Sequence, residues 1–330
     1  MSSASTTPSA NKDAPTLLQR IQALDQRTNF YHGRETIKSL GENNRCSTTE
    51  RSNHLGKITD VVRLNVDVQY ESNTITTDDA NYDPAKLFQR RTESFAHVTK
   101  TILSRQHSDI YPVYPFIESM DPKNDNKNVV LAHVNRSLAP YLGVDSVGVH
   151  LNCYVRQNNV IQGVWLAKRS ATKSHHPNYW DTTVAGGQPH NLSLYDNILK
   201  EAHEEAGVPS EWMRKDASNE AFTDHTHDPL TMMTAKKDGS CMKRSFYYSF
   251  DLQVPEDWQP TPVDGEVEEF KLYSIEELDH ELRYGQSLRP AMRAVLLDFM
   301  MRYGLFKEVE GQDDCSELSK AMRRERITLW

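Results

Sequence analysis

The sequence predicts an α/β fold. Three observations carry this: two adjoining strands with period-two patterning, an amphipathic carboxylate-bearing helix behind a glycine pair, and an apolar final helix. Val147, Val149, Leu151, Cys153 and Val155 alternate with Gly148, His150, Asn152, Tyr154 and Arg156, the pattern of a strand with one buried face. Asn158 and Asn159 turn the chain into a second strand over residues 160–168. A polar loop follows over 169–181, then a short strand over 182–185 that reaches Gly186 and Gly187. Ser193 is placed as an N-cap, with Asp196 as its capping-box partner three residues on. Ile198, Leu199, Ala202 and Ala206 then cover one arc of a helix, Glu201, Glu204 and Glu205 the neighbouring arc, and Gly207 stops it. Residues 231–236 and 242–252 flank Asp238-Gly239, a hairpin signal. A strand over 270–273 leads to Ser274, which caps a helix through Leu282. Pro290 opens the last helix, with Val295, Leu296, Phe299 and Met300 as its apolar positions.

The first half of the chain is less patterned. Residues 1–14 read as a disordered tail rich in Ser, Thr, Ala and Pro. Leu17, Leu18, Ile21 and Leu24 recur at helical spacing, while the polar stretch 34–95 places no element. Residues 110–117 read as extended, 121–128 as a loop, and 129–142 as a strand followed by a helix ending at Gly143. The boundaries expected are a tail over 1–14, an N-terminal α+β domain over 15–144, a catalytic domain over 145–305 and a charged C-terminal tail over 306–330.

Bulk properties exclude several classes. The 330 residues suffice for two domains. A net charge of -8 implies no dominant basic surface, so a nucleic-acid backbone is not the expected main partner. Cys46, Cys153, Cys241 and Cys315 are widely spaced with no Cys-x-x-Cys pair, which argues against a disulfide framework or a cysteine zinc site. A reducing, cytoplasmic compartment is expected. The N-terminus lacks the apolar run of a signal peptide and the arginines of a transit peptide, and no stretch is apolar enough to span a membrane. His175-His176 and His225-x-His227 have no cysteine or spacing that supports zinc. Oligomeric state is not legible.

The chemistry lies in Glu201, Glu204 and Glu205. Their spacing of i, i+3 and i+4 stacks them on a helix, where unpaired carboxylates repel and raise one another's pKa. A divalent cation removes that repulsion, and hard oxygen ligands suit magnesium or manganese. The carbonyls of Gly186 or Gly187 offer a further oxygen, and Glu266, with Asp264 next in line, offers a carboxylate from a distant loop. A solvated acidic helix face is the alternative reading.

At these residues the chain resembles the Nudix hydrolases. Glu201, Ala202, Glu204, Glu205, Gly207 and Val208 match the second half of their signature, with Lys200 in place of the usual Arg. The first signature glutamate falls on Leu192 or Ser193, according to whether Gly186 or Gly187 is taken as the first glycine, and is absent either way. The resemblance implies a Nudix α/β/α sandwich with a mixed sheet, preceded by an N-terminal α+β region. It also implies magnesium on Glu204 and Glu205, with Glu201 ligating metal or activating water. Leu142-Gly143-Val144, residues 148–152 and 164–170 with Lys173, Val184-Ala185-Gly186-Gly187 and residues 264–270 resemble a narrower group, the thiamine pyrophosphokinase-related Nudix proteins. That likeness implies hydrolysis of thiamine diphosphate, or of its oxidised oxo and oxy analogues, to the monophosphate. The short stretch after the last predicted helix leads us to expect the hydrolase part alone, without a kinase domain. Arg169 and Lys173 either hold the diphosphate or are ordinary loop charges. Trp180, with Tyr179, either stacks on the thiazolium cation or packs in the core, and packing is favoured. The rival functions are a Nudix hydrolase of nucleoside diphosphate derivatives and a non-catalytic Nudix-fold ligand-binding module.

Overall fold

The computed structural model describes residues 84–103, 108–113, 132–142, 144–216, 219–235, 242–308 and 314–323, with Gln19 and Val130 as isolated positions. The expected tail over 1–14, the helical spacing from Leu17 to Leu24, the loop over 121–128 and the tip of the Asp238-Gly239 hairpin lie outside these residues.

A helix α1 (Pro84–Ile102) begins within the stretch where the sequence placed no element. It covers a small antiparallel pair, β1 (Ile110–Val113) and β2 (Ala132–Asn135), which a short 3-10 turn over Ala139–Leu142 follows. Phe95, Val98, Tyr111, Val134 and Leu138 are buried together there. Thr92 accepts the His133 amide at 3.0 Å, tying helix to strand.

The second layer system is an eight-stranded mixed sheet. Its long strands are β3 (Ser146–Gln157), β4 (Val160–Arg169), β9 (Met242–Val254) and β10 (Val267–Ser274). The short ones are β5 (Trp180–Asp181), β6 (Val184–Gly187), β7 (Phe222–Asp224) and β8 (Leu230–Ala235). The order is β10-β4-β3-β9-β7, with β3 and β9 parallel and the other pairings antiparallel. Asn158 and Asn159 both take positive φ in the β3–β4 turn, a conformation that Asn tolerates better than most residues.

One split in this sheet creates the site. β4 pairs with β3 only over its start, and along residues 148–151 the same edge of β3 is taken by β6. Thr183 spans the divergence: its hydroxyl accepts the Cys153 amide at 2.9 Å and donates to the Trp165 carbonyl at 2.5 Å. The backbone groups that would otherwise be orphaned are thereby satisfied.

Helices cover both faces. α2 (Leu194–Ala206) lays Ile198, Ala202 and Ala206 on Val149, Leu151 and Cys153. On the other face α3 (Ile275–Arg283), α4 (Met292–Arg302) and α5 (Cys315–Met322) pack over Tyr154, Val164 and Leu166. The expectation of a single buried face on β3 is therefore corrected. His150 and Asn152 also go inside, because each finds a partner: His150 Nδ1 meets Thr182 Oγ1 at 3.1 Å, and Asn152 donates to Asp251 at 2.8 Å. Two caps match the sequence reading. Ser193 accepts from the Asp196 amide, and Ser274 with Glu277 forms a complete capping box. α5 lies in the segment read as charged tail. Asp314 caps it, and Leu318, Ala321 and Met322 are buried at helical spacing.

Candidate active site

The site forms where α2 passes the split between β6 and β4. Ser193 starts the helix and Gly207 ends it in a left-handed cap, which fixes the phase of every carboxylate between them. Glu205 does not share the solvent arc with Glu201 and Glu204. With Ile198 and Ala202 it follows the i, i+4, i+7 stripe, and it is only 6 % exposed. Its carboxylate accepts the Ala185 amide at 2.9 Å. Burial pushes its pKa well above the ordinary carboxylate range; the Ala185 amide opposes the shift, and the fields of Glu201, Asp181 and Glu266 add to it.

The distant loop delivers two partners. Asp264 accepts the Glu266 amide at 2.8 Å across Gly265, and the Glu266 carbonyl takes the Ser170 amide at 2.9 Å. The turn is thus clamped to the end of β4, where Val267 pairs with Arg169. As a result Glu205, Asp264 and Glu266 each present a carboxylate oxygen within 4.8 Å of the others.

Glu201 stands beside this group. Burial raises its pKa; Lys200 opposes that, and Glu204 and Glu266 add to it. It fits only because residue 186 is glycine: a Cβ there would lie 2.4 Å from Glu201 Cγ and 2.7 Å from Cδ. Gly186→Ala is expected to displace the Glu201 carboxylate and cut metal-dependent turnover by about tenfold or more while leaving the fold intact. Unchanged kcat in a variant with unchanged Tm would refute that role for the Glu201 position.

The other sequence candidates are placed as follows. Glu204 sits apart from the three-carboxylate group, paired with Lys200 at 2.5 Å on the outer face. The Gly187 carbonyl accepts from Asn197 Nδ2 at 3.0 Å. Asn197 also donates to Gln188 Oε1, and Gln188 Nε2 donates to the Leu192 carbonyl at 2.6 Å. This amide pair closes the loop from Gly187 to Leu192, where the first signature glutamate is absent. Lys173 is ion-paired with Glu266. Arg169 is engaged by Asp181 at 3.1 Å and by the carbonyls of His175 and His176. Trp180 stacks edge-on against Tyr273 and packs on the core.

Three residues were not singled out from the sequence. Asp181 is buried between Arg169 and Arg289, with Arg289 Nε at 2.9 Å. His150 is also buried, and burial, together with the field of Arg289, lowers its pKa to about 3, so it stays neutral. Only register brings these groups together, and no local motif marks them.

The fold and site define an α/β/α domain in which a carboxylate-bearing helix meets acids from a second loop beside a split sheet. Residues 148–295 match the NUDIX domain family. The chain has Nudix hydrolase homologues. It is 31% identical over 222 residues to Nudix hydrolase 20, chloroplastic, of Arabidopsis thaliana, covering 66% of this chain and 54% of that one. It is 29% identical over 224 residues to Nudix hydrolase 24, chloroplastic, of the same plant, covering 66% and 56%. The chain thus spans about half the length of the curated relatives it matches. A solved structure from Deinococcus radiodurans is 17% identical, covers 52% of this chain and 93% of its own, and superposes with a TM-score of 0.38.

Proposed function

We propose that this chain is a divalent-metal-dependent hydrolase of an organic diphosphate, with thiamine diphosphate or its oxidised analogues as favoured substrates. The observation that carries the reading is the approach of Glu205, Asp264 and Glu266 within 4.8 Å. Three acids at that separation, one of them buried, repel each other unless a cation or protons intervene. The donors are all hard oxygens, which fits magnesium or manganese. Glu205, Asp264 and Glu266 would hold the ion, with Glu201 and the Gly186 backbone alongside. When bound, the ion supplies charge neutralisation to the diphosphate.

The chain's own residues do the rest. Glu201, with its raised pKa, takes the proton of the attacking water. Lys200 bridges Glu204 at 2.5 Å and Glu201 at 3.5 Å, and so orients both carboxylates along the helix. Lys173, at the rim on Glu266, meets the phosphate oxygens. Arg169 fixes the loop over 170–180 through two carbonyls and Asp181, and Trp180 anchors that loop in the core.

The preference for thiamine compounds rests on the likeness of residues 142–144, 148–152, 164–170 with Lys173, 184–187 and 264–270 to the thiamine pyrophosphokinase-related Nudix proteins. The two described cysteines, Cys153 and Cys315, are free thiols, which suits a reducing compartment such as the cytoplasm. Among the described residues no helix is long and apolar enough to cross a membrane.

The test is phosphate release from thiamine diphosphate, oxothiamine diphosphate and a nucleoside diphosphate panel, with magnesium, manganese or chelator. Metal-dependent release favouring the thiamine compounds is expected. Release from nucleosides alone overturns the substrate but keeps the hydrolase. Binding without release under either metal overturns hydrolysis in favour of a binding module.

A further inference from the structure

A second, oppositely charged group of side chains lies near the carboxylates. On β9, Lys243, Ser245 and Tyr247 share one face of the sheet, because side chains alternate along a strand. Register sets Tyr247 opposite Gly148 of β3, and Gly148 opposite Gly187 of β6. The two facing glycines bring no side chain of their own, which lets neighbouring side chains close over the sheet there. Tyr111 and Arg136, from the region before the NUDIX domain, reach over it. A Cβ at Gly187 would lie 3.6 Å from Tyr111 Oη and 3.7 Å from Arg136 Nη1. His150 lies at the same place: its Nε2 is buried without a hydrogen-bond partner, 3.2 Å from where a Gly148 Cβ would stand, and its ring meets Tyr247 edge-on.

Three cations there lie within electrostatic reach of one another. Arg136 is held by Asp109 at 2.8 Å and Arg289 by Asp181 at 2.9 Å. Lys243 has no carboxylate partner among the described residues, and burial, then Arg136 and Arg289, push its pKa down to about 8. Asp109 pairs with Arg136 and Asp181 is shared by Arg289 and Arg169, so Lys243 is left without a carboxylate in a half-buried setting. An anion relieves that repulsion as a cation relieves the acidic cluster. Arg289 joins the two groups, since its partner Asp181 also acts on Glu205. The unpartnered His150 nitrogen adds a polar atom that a ligand can satisfy.

We propose that Arg136, Lys243 and Arg289 form a phosphate-binding subsite next to the metal cluster, completed by the region before the NUDIX domain and serving the anionic end of the substrate. This rests on the diphosphate-hydrolase reading for its role and on geometry for its existence. Arg136 and Tyr111 make the preceding region part of the binding site.

The test uses inorganic pyrophosphate as probe, titrated calorimetrically in the presence of chelator, so that no metal contributes. Lys243→Met and Arg136→Met are expected to weaken binding by about tenfold or more, and Lys243→Arg by much less. Glu205→Gln is expected to bind at least as well as wild type. Thermal unfolding of each variant checks the fold, and if Lys243→Met fails to fold, Arg136→Met and Lys243→Arg decide. Undiminished pyrophosphate binding in the folded methionine variants overturns the subsite. Weakened binding alongside a chain that hydrolyses nothing in the panel keeps the subsite and overturns the hydrolase.

Discussion

Glu205→Gln is expected to lower metal-dependent phosphate release by about 100-fold or more, because it removes one of the three carboxylates that we propose hold the cation. The same change should stabilise the metal-free protein at neutral pH. The wild-type carboxyl has a folded pKa well above its unfolded value, so between the two the native state binds more protons than the unfolded state. Stability therefore falls as pH rises from the ordinary carboxylate range toward the raised value. Glutamine keeps an oxygen for the Ala185 amide, which Glu205 now satisfies at 2.9 Å, and has no proton to lose. Urea unfolding in chelator, run from about pH 4.5 to 8, should show a declining wild-type stability and a flatter profile for the variant. Adding magnesium should restore the wild type and leave the variant unmoved. Parallel pH profiles in chelator would refute the buried-carboxylate account, and full activity at limiting magnesium would refute the metal site.

What the sequence showed of this site was local. Ser193, Gly207 and the Glu201–Glu204–Glu205 spacing lie within one helix, where propensity and capping act between near neighbours. The inward turn of Glu205 was readable too, from its place on the Ile198–Ala202 stripe, but an acid on a buried stripe looks like solvent-facing charge until its amide partner is known. Glu266 was visible as one of several neighbouring acids. The turn across Gly265 and its clamp to Ser170 select it, and these depend on β10 pairing with β4. α1 and α5 carried helical signals in Phe88, Arg91, Phe95 and Val98, and in Asp314, Leu318, Ala321 and Met322, submerged in polar sequence. Arg136, Lys243 and Arg289 come from three distant parts of the chain. Only the tertiary fold brings them near one another, which periodicity does not encode.

Asp181→Asn is expected to cost about 3 kcal/mol of folding stability, the largest loss from any single polar change near the site. Its side chain is 3% exposed, yet it neutralises two guanidiniums, Arg169 Nη1 at 3.1 Å and Arg289 Nε at 2.9 Å. It also accepts the Thr182 amide at 2.9 Å. Asparagine preserves the last contact and abandons both charges. Removing one partner of a buried ion pair costs more than the pair's net worth, because the survivors stay desolvated without compensation. The consequences reach the chemistry. Arg169 organises the loop that carries Lys173, and Arg289 would lose the anchor that holds it near Lys243. The variant should therefore show a raised KM as well as a lower urea midpoint. Adding Arg289→Met to Asp181→Asn should recover part of the lost stability, since one of the stranded charges is then gone. A loss below about 0.5 kcal/mol in the single variant, or no recovery in the double, would show that solvent already compensates these guanidiniums and that Asp181 is not the group that holds them.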